Sequence, residues 1–305
     1  MTQETQLARI AERVARCCPD NGIHGTTLET VRFFRDSVVT PRPMPWIYEP
    51  MMVIAVQGKK KLYLDGVQYG YDPGQFLVLF MPMVLECQLV EASEDNPLLA
   101  IAISLDRHRL AKLLLKMDSV EQNPQKSLQK PEVINTSGIF SAPLNGSLLE
   151  ATVRLLETFD DPTEAAILGD GIIDEIYYRL LTNEQGGALR VLLRQQGQIQ
   201  QISKAVDYLH ERLDQPVSVE ELAAIAHMST SGFHKKFKEV MHFSPLQYAK
   251  SMRLNKARLY LMEGESVSEA GYRVGYNSPA QFSREYKRQF GMAPSETMVG
   301  LAIAR

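Results

Sequence analysis

Two short stretches near the C-terminal end of the chain concentrate basic side chains. One holds Lys235, Lys236 and Lys238; the other holds Arg284, Lys287 and Arg288. Ammonium and guanidinium groups neutralise phosphate, and an arginine fork can also take the two acceptors of a guanine edge. Other chemistry is thinly provided. The six histidines are His24, His108, His210, His227, His234 and His242, and none lies between residues 41 and 107. Cys17, Cys18 and Cys87 are odd in number and show no metal-ligand spacing, so no disulfide framework is expected. No Ser/His/Asp set or glycine-rich phosphate loop stands out. The sequence gives no expectation of a catalytic residue, a metal or a cofactor.

The basic stretches sit in a repeat that supplies the elements to hold them. Ser218-Val219-Glu220-Glu221-Leu222-Ala223 matches Ser266-Val267-Ser268-Glu269-Ala270-Gly271 at an offset of 48. Farther on, Phe233, Phe237, Lys238 and Pro245 match Phe282, Tyr286, Lys287 and Pro294 at an offset of 49, so the second turn holds one extra residue. Ser218 with Glu221, and Ser266 with Glu269, have the spacing of capping boxes that start a helix. Each first helix ends at a turn, at His227-Met228-Ser229 and at Gly275-Tyr276-Asn277. Ser229 or Ser231, and Ser278, can cap a second helix. Its aromatic residues, spaced i and i+4, turn inward and its basic residues turn out. Two such helices joined by a tight turn describe a helix-turn-helix. The spans are about 218–240 and 266–290, joined by a long helix over about 245–262. A plain pair of helical hairpins in a bundle is the alternative.

The preceding part has a different pattern. Residues 2–17 predict an amphipathic helix with Leu7, Ile10 and Val14 on one face. After the prolines at 41, 43, 45 and 50, short apolar or alternating runs at 51–57, 61–65, 75–80, 84–90 and 98–105 predict strands of a β-sandwich or small barrel. Helices are expected at 107–117, 147–159 and 162–181, the last opened by Asp161-Pro162. Residues 123–143 look like loop, and Gly186-Gly187 breaks the helical pattern.

Beyond these patterns, the last hundred residues resemble the AraC/XylS family of transcription regulators. The resemblance rests on Val274-Gly275-Tyr276, Ser278-Pro279-Ala280-Gln281-Phe282-Ser283-Arg284, Tyr286-Lys287, Phe290-Gly291 and Pro294-Ser295. In the first unit it rests on Phe237-Lys238, Phe243-Ser244-Pro245-Leu246-Gln247-Tyr248, Arg253-Leu254 and Ala257-Arg258. His227 departs from it where the second copy has Gly275, a turn that histidine tolerates better than a β-branched residue would. Less specifically, Tyr48-Glu49-Pro50, Val56-Gln57-Gly58-Lys59-Lys60, Tyr71-Asp72-Pro73-Gly74 and Val90-Glu91-Ala92-Ser93 resemble the cupin-like regulatory domain of one branch of that family.

The resemblance implies an α+β protein. Its N-terminal regulatory domain spans 1–186, with a cupin-like β-barrel at about 41–106 and a helical dimerisation region at about 107–181. A linker at 187–197 leads to an all-α domain, 198–305, with two helix-turn-helix motifs. It implies that Ser231, His234 and Lys235, then Pro279, Ala280, Gln281 and Arg284, face base edges, while Lys236, Lys238, Lys287 and Arg288 meet phosphate. Trp46, Tyr48, Tyr63, Phe80, Met81 and Cys87 are candidates to line an effector pocket, with core packing as the competing role for each. The expected partners are promoter DNA, RNA polymerase, a small-molecule effector and a second copy of the chain.

Charge agrees with that division. Residues 198–305 carry 14 Lys and Arg against 11 Asp and Glu, whereas the residues before them carry 19 against 25. A basic module meets phosphate although the whole chain is at −3. The chain is expected to be cytoplasmic, with no membrane span. The reading is an activator with a sensing domain. The alternatives are a cupin-type enzyme with a helical tail, against which the absence of barrel histidines counts, and a DNA binder without effector sensing.

Overall fold

Runs of apolar residues bounded by Gly, Asp and Pro form the strands, as β-sheet burial requires. The computed structural model describes residues 3–70, 72–120, 138–183, 186–194 and 196–297. In chain order the first elements are α1 (Gln3–Cys17), β1 (Gly22–Gly25), β2 (Val31–Asp36), β3 (Met44–Tyr48), β4 (Met51–Gln57), β5 (Lys59–Leu64) and β6 (Val67–Tyr69). Then come β7 (Gln75–Leu79), β8 (Met83–Glu91), β9 (Leu98–Ser104), α2 (Arg107–Val120), β10 (Ile139–Pro143), α3 (Gly146–Thr158), α4 (Pro162–Thr182) and α5 (Gly186–Arg194). The rest is helical: α6 (Gln196–Glu211), α7 (Val219–Ile225), α8 (Thr230–Met241), α9 (Pro245–Met262), α10 (Val267–Arg273) and α11 (Pro279–Phe290).

The fold is α+β, with N-terminal sheets and C-terminal helices. One sheet has the order β1-β2-β9-β4-β7-β10 and the other β3-β8-β5-β6. β4 is central in the first, with Ile54 opposite both Ile101 and Phe76. Its residues from Met52 to Val56 are buried without alternation, as a strand covered on both faces should be. The strands begin at Gly22 rather than near residue 41, and β10 extends them to Pro143, inside a stretch expected to be loop. β1 and β10 are short and carry Gly, His, Ser or Pro, which hides them from pattern reading. Residues 123–137 of that expected loop lie outside the described residues.

The chain divides into two units. The first comprises residues 1–43, 49–81 and 87–195; the second comprises 44–48, 82–86 and 196–305. In the first, α1 packs Ile10, Ala11 and Val14 toward β4 and β9. α3 and α4 pack on one another, with Arg154 paired to Glu175 across them. The Tyr177 hydroxyl donates to the Ser104 carbonyl at 2.5 Å and accepts from the Asp106 amide at 3.1 Å, which fixes α4 to the end of β9. Gly186-Gly187 opens α5 instead of breaking the pattern. A Cβ on Gly186 would stand 2.4 Å from the Leu180 carbonyl oxygen, so glycine is needed for close approach. Of the stretch 187–197, expected as linker, residues 187–194 lie in α5 and residues 196–197 begin α6. Among the described residues no helix is long and apolar enough to cross a membrane.

Candidate nucleic-acid interface

In the second unit, the first helix-turn-helix is α7 and α8. Ser218 caps α7, accepting from the Glu221 amide at 3.1 Å. The reciprocal half of the expected capping box is not made. The Glu221 carboxylate instead accepts from the Tyr208 hydroxyl of α6, a tertiary partner that local spacing does not reveal. α7 ends in a tight turn in which the Met228 amide donates to the Ala223 carbonyl at 2.9 Å. His227 there sits at φ 51°, in the left-handed region. Of the two serines that could cap α8, Ser229 does so, accepting from the Gly232 amide at 3.2 Å. Phe233 and Phe237 are fully buried, 5.4 Å apart, and Phe237 meets the Tyr248 ring of α9 at 5.6 Å.

The second helix-turn-helix, α10 and α11, repeats this mechanism. Ser266 and Glu269 close a full capping box. The Tyr276 amide donates to the Gly271 carbonyl at 3.0 Å, and Gly275 takes φ 85° where the first copy has His227. Asn277 is the extra residue of the longer turn, and Ser278 caps α11. Phe282, Tyr286 and Phe290 are buried along one side of α11 against Leu254, Ala257 and Leu261 of α9 and Ala270 and Val274. Burying aromatic side chains of this size contributes about 1.5–3 kcal/mol each. That row holds the opposite side of α11 outward.

The outward faces carry the expected residues. Ser231, His234, Lys235 and Lys238 of α8 are exposed, as are Pro279, Ala280, Gln281, Arg284, Lys287 and Arg288 of α11. Lys236 differs: its side chain is largely covered and its ammonium pairs with Glu239 of the same helix at 3.0 Å. α9 starts from a Ser244–Gln247 capping box that sequence reading passed over, although its spacing is local. Arg253 of α9 donates through Nε to the Leu213 carbonyl at 2.6 Å, fixing α9 to the end of the α6 segment. The Arg258 guanidinium lies 4.9 Å from the Trp46 ring and 5.2 Å from the Phe290 ring, inside the same unit.

A family model of the N-terminus of AraC-type transcriptional regulators matches residues 27–188, more than half of the chain. The chain belongs to the AraC-type transcriptional regulators. A model of a helix-turn-helix domain matches residues 222–299. The probable transcriptional regulator LumQ of Photobacterium leiognathi is 31% identical over 29% of this chain and 36% of its own length. The probable thc operon regulatory protein of Rhodococcus erythropolis is 33% identical over 31% of this chain and 30% of its own. The chain thus matches about a third of the length of these curated relatives. Among solved structures, ToxT from Vibrio cholerae shares the fold, with TM-score 0.54 and 12% identity over 88% of this chain and 97% of ToxT.

In this AraC-type chain the six effector candidates fall on β3, β5, β8 and the stretch after β7. Phe80 and Met81 are buried core residues after β7, while Tyr63 on β5 and Cys87 on β8 are half-buried. Trp46 and Tyr48 belong to β3 in the second unit, where Trp46 packs under Arg258. A small cavity of the first unit, of about 100 Å³, is walled by other residues, among them Arg13, Cys17, Phe33 and Phe159. Cys17 is exposed there; Cys18 beside it is buried, and burial pushes its thiol up to about 11. A thiol so raised stays protonated and is a poor nucleophile. Among the described residues no three His, Cys, Asp or Glu side chains are grouped to hold a metal ion.

Proposed function

We propose that this AraC-type chain is a sequence-specific DNA-binding transcription regulator, an activator, whose N-terminal domain binds a small molecule and biases DNA binding or polymerase contact. The observation that carries the reading is the duplicated helix-turn-helix, each copy turning an exposed polar helix face outward from a buried aromatic row. On this reading α8 and α11 enter successive major grooves about 34 Å apart, one duplex turn. Ser231, His234, Lys235, Gln281 and Arg284 meet base edges, Pro279 and Ala280 offer apolar contact to a thymine methyl, and Lys238, Lys287 and Arg288 meet phosphate. Lys236 would have to leave Glu239 to do the same.

The sensing half of the proposal is a cupin-like domain, residues 1–186, supported by the family match over 27–188. Trp46, Tyr48, Tyr63, Phe80, Met81 and Cys87 are its candidates for effector contact. The regulator acts in the cytoplasm, on promoter DNA and with RNA polymerase, and carries no enzyme activity. It works as a homodimer through the α3–α4 region. Ile167, Leu168 and Tyr178 of α4 are 72%, 48% and 41% exposed, an apolar surface that a two-fold contact would cover.

Genome-wide mapping of bound sites, with and without candidate metabolites, tests the whole reading. A shared motif at a few promoters, with occupancy that changes with one metabolite, is expected. Scattered binding that no metabolite alters contradicts it.

A further inference from the structure

We infer that Glu285 is a positioning residue for DNA recognition, tying the second reading helix to α9 and to the turn before it and so fixing how Gln281 and Arg284 are presented. The inference rests on the reading of α11 as a base-reading helix.

Three elements meet at this carboxylate. One oxygen, Oε2, pairs with the Lys250 ammonium of α9 at 2.9 Å and accepts from the Tyr276 hydroxyl at 2.8 Å. The other, Oε1, lies 3.5 Å from the Gln281 side-chain nitrogen, one helical turn back on α11. Tyr276 is itself a buried member of the second helix-turn-helix core. The Glu285 side chain is only 20% exposed. Burial pushes its carboxyl up, but the Lys250 ammonium and the Tyr276 and Gln281 hydrogen bonds outweigh that and hold it below the usual carboxylate range. An isolated surface ion pair would be worth little. A largely covered carboxylate bonded to two separate elements instead fixes the rotation and slide of the helix that carries it.

A carboxylate on a helix that approaches phosphate also carries an electrostatic cost. Its charge here is neutralised by Lys250, and it stands next in sequence to Arg284. The first copy handles the same position differently. With Phe237 matched to Tyr286, Lys236 takes the place of Glu285, and it pairs with Glu239 within α8. Met228, which cannot donate as a phenol does, takes the place of Tyr276. The two reading helices are therefore held by different means, and α11 has the polar tie.

The test uses the full chain and the duplex that the wild-type protein enriches from a randomised pool. Affinity for that duplex and for a scrambled one is measured by fluorescence anisotropy, with the thermal midpoint recorded for every variant. Glu285→Gln keeps the side chain's shape and can still accept from Tyr276 but loses the ion pair. It is expected to lower the ratio of enriched to scrambled affinity about tenfold at a nearly unchanged midpoint. Lys250→Met weakens both duplexes through its lost charge, but it too should lower the ratio. The double variant should fall no further than the worse single, because the residues act as a unit. A ratio within twofold of wild type for Glu285→Gln, or losses that multiply in the double variant, overturns the inference. If Glu285→Gln does not fold, Lys250→Met decides: an unchanged ratio overturns the inference and a lowered ratio supports it. Failure of the wild-type chain to enrich any sequence removes the base-reading role of α11 itself, a distinct result.

Discussion

Arg284 leaves α11 into solvent two residues beyond a phenylalanine that is fully buried, so its direction is set by the core rather than by its own contacts. A guanidinium presented in this way can take guanine O6 and N7 together, whereas the lysines nearby act as point charges. Arg284→Ala should lower affinity for the cognate duplex by about 1–3 kcal/mol and relax selectivity at one base pair. Equal loss on cognate and random DNA in a titration would reduce Arg284 to a phosphate contact. His210 makes a second residue-scale prediction. Its Nε2 lies 2.9 Å from the Tyr248 hydroxyl. Burial pushes the imidazole down to about 4, with Asp207 opposing and Lys256 adding to the fall. The unfolded chain therefore takes up this proton first, near the ordinary histidine value of about 6.5. The neutral ring's stabilisation is whole above that pH and is lost as pH falls from there toward 4. The denaturation midpoint should be lower at pH 5 than at pH 7.5, and His210→Gln, which cannot be protonated, should lose part of that difference. An unchanged difference in His210→Gln would mean that other groups cause it.

At the scale of elements, the local signals are legible and the tertiary ones are not. The Ser266–Glu269 box and the Ser278 cap depend only on residues three apart and spacing alone finds them, whereas for α8 spacing leaves Ser229 and Ser231 open and the fold selects Ser229. The Ser218 box fails as an expectation because Tyr208, from another helix, takes the Glu221 carboxylate. Strands β4 and β9 are readable as apolar runs that two neighbours cover, whereas β1, β3 and β10 carry too much Gly, Pro and polar character. The outward face of α11 is legible in the family motif and the i, i+4 aromatics. The Lys250–Glu285–Tyr276 tie is not, since no spacing rule joins residues from a helix, a turn and a second helix. Removing the Ser266 cap by Ser266→Ala should cost about 1 kcal/mol of stability in urea denaturation. Gly275→Ala should cost more. It forces a Cβ into φ 85° and to within 2.4 Å of the Asp214 carbonyl oxygen. A smaller loss for Gly275→Ala than for Ser266→Ala would show that the turn relaxes freely.

At the scale of the whole molecule, the net charge of −3 conceals a basic module at residues 198–305 and an acidic remainder, a split that suits contact with phosphate by the C-terminal helices. Self-association should depend on the exposed apolar side chains of α4. Leu168→Glu with Ile167→Glu should convert a dimer to a monomer by light scattering at micromolar protein; a wild-type monomer under those conditions would contradict the proposed dimer. The central claim, that α8 and α11 both read bases, is tested most directly by selecting binding sites from a randomised duplex pool with the wild-type chain and with Arg284→Ala. The account predicts two preferred blocks about 10 base pairs apart, one turn of duplex, with selectivity in one block weakened by Arg284→Ala and the other preserved. A single block, or a pool left without sequence preference, would contradict it.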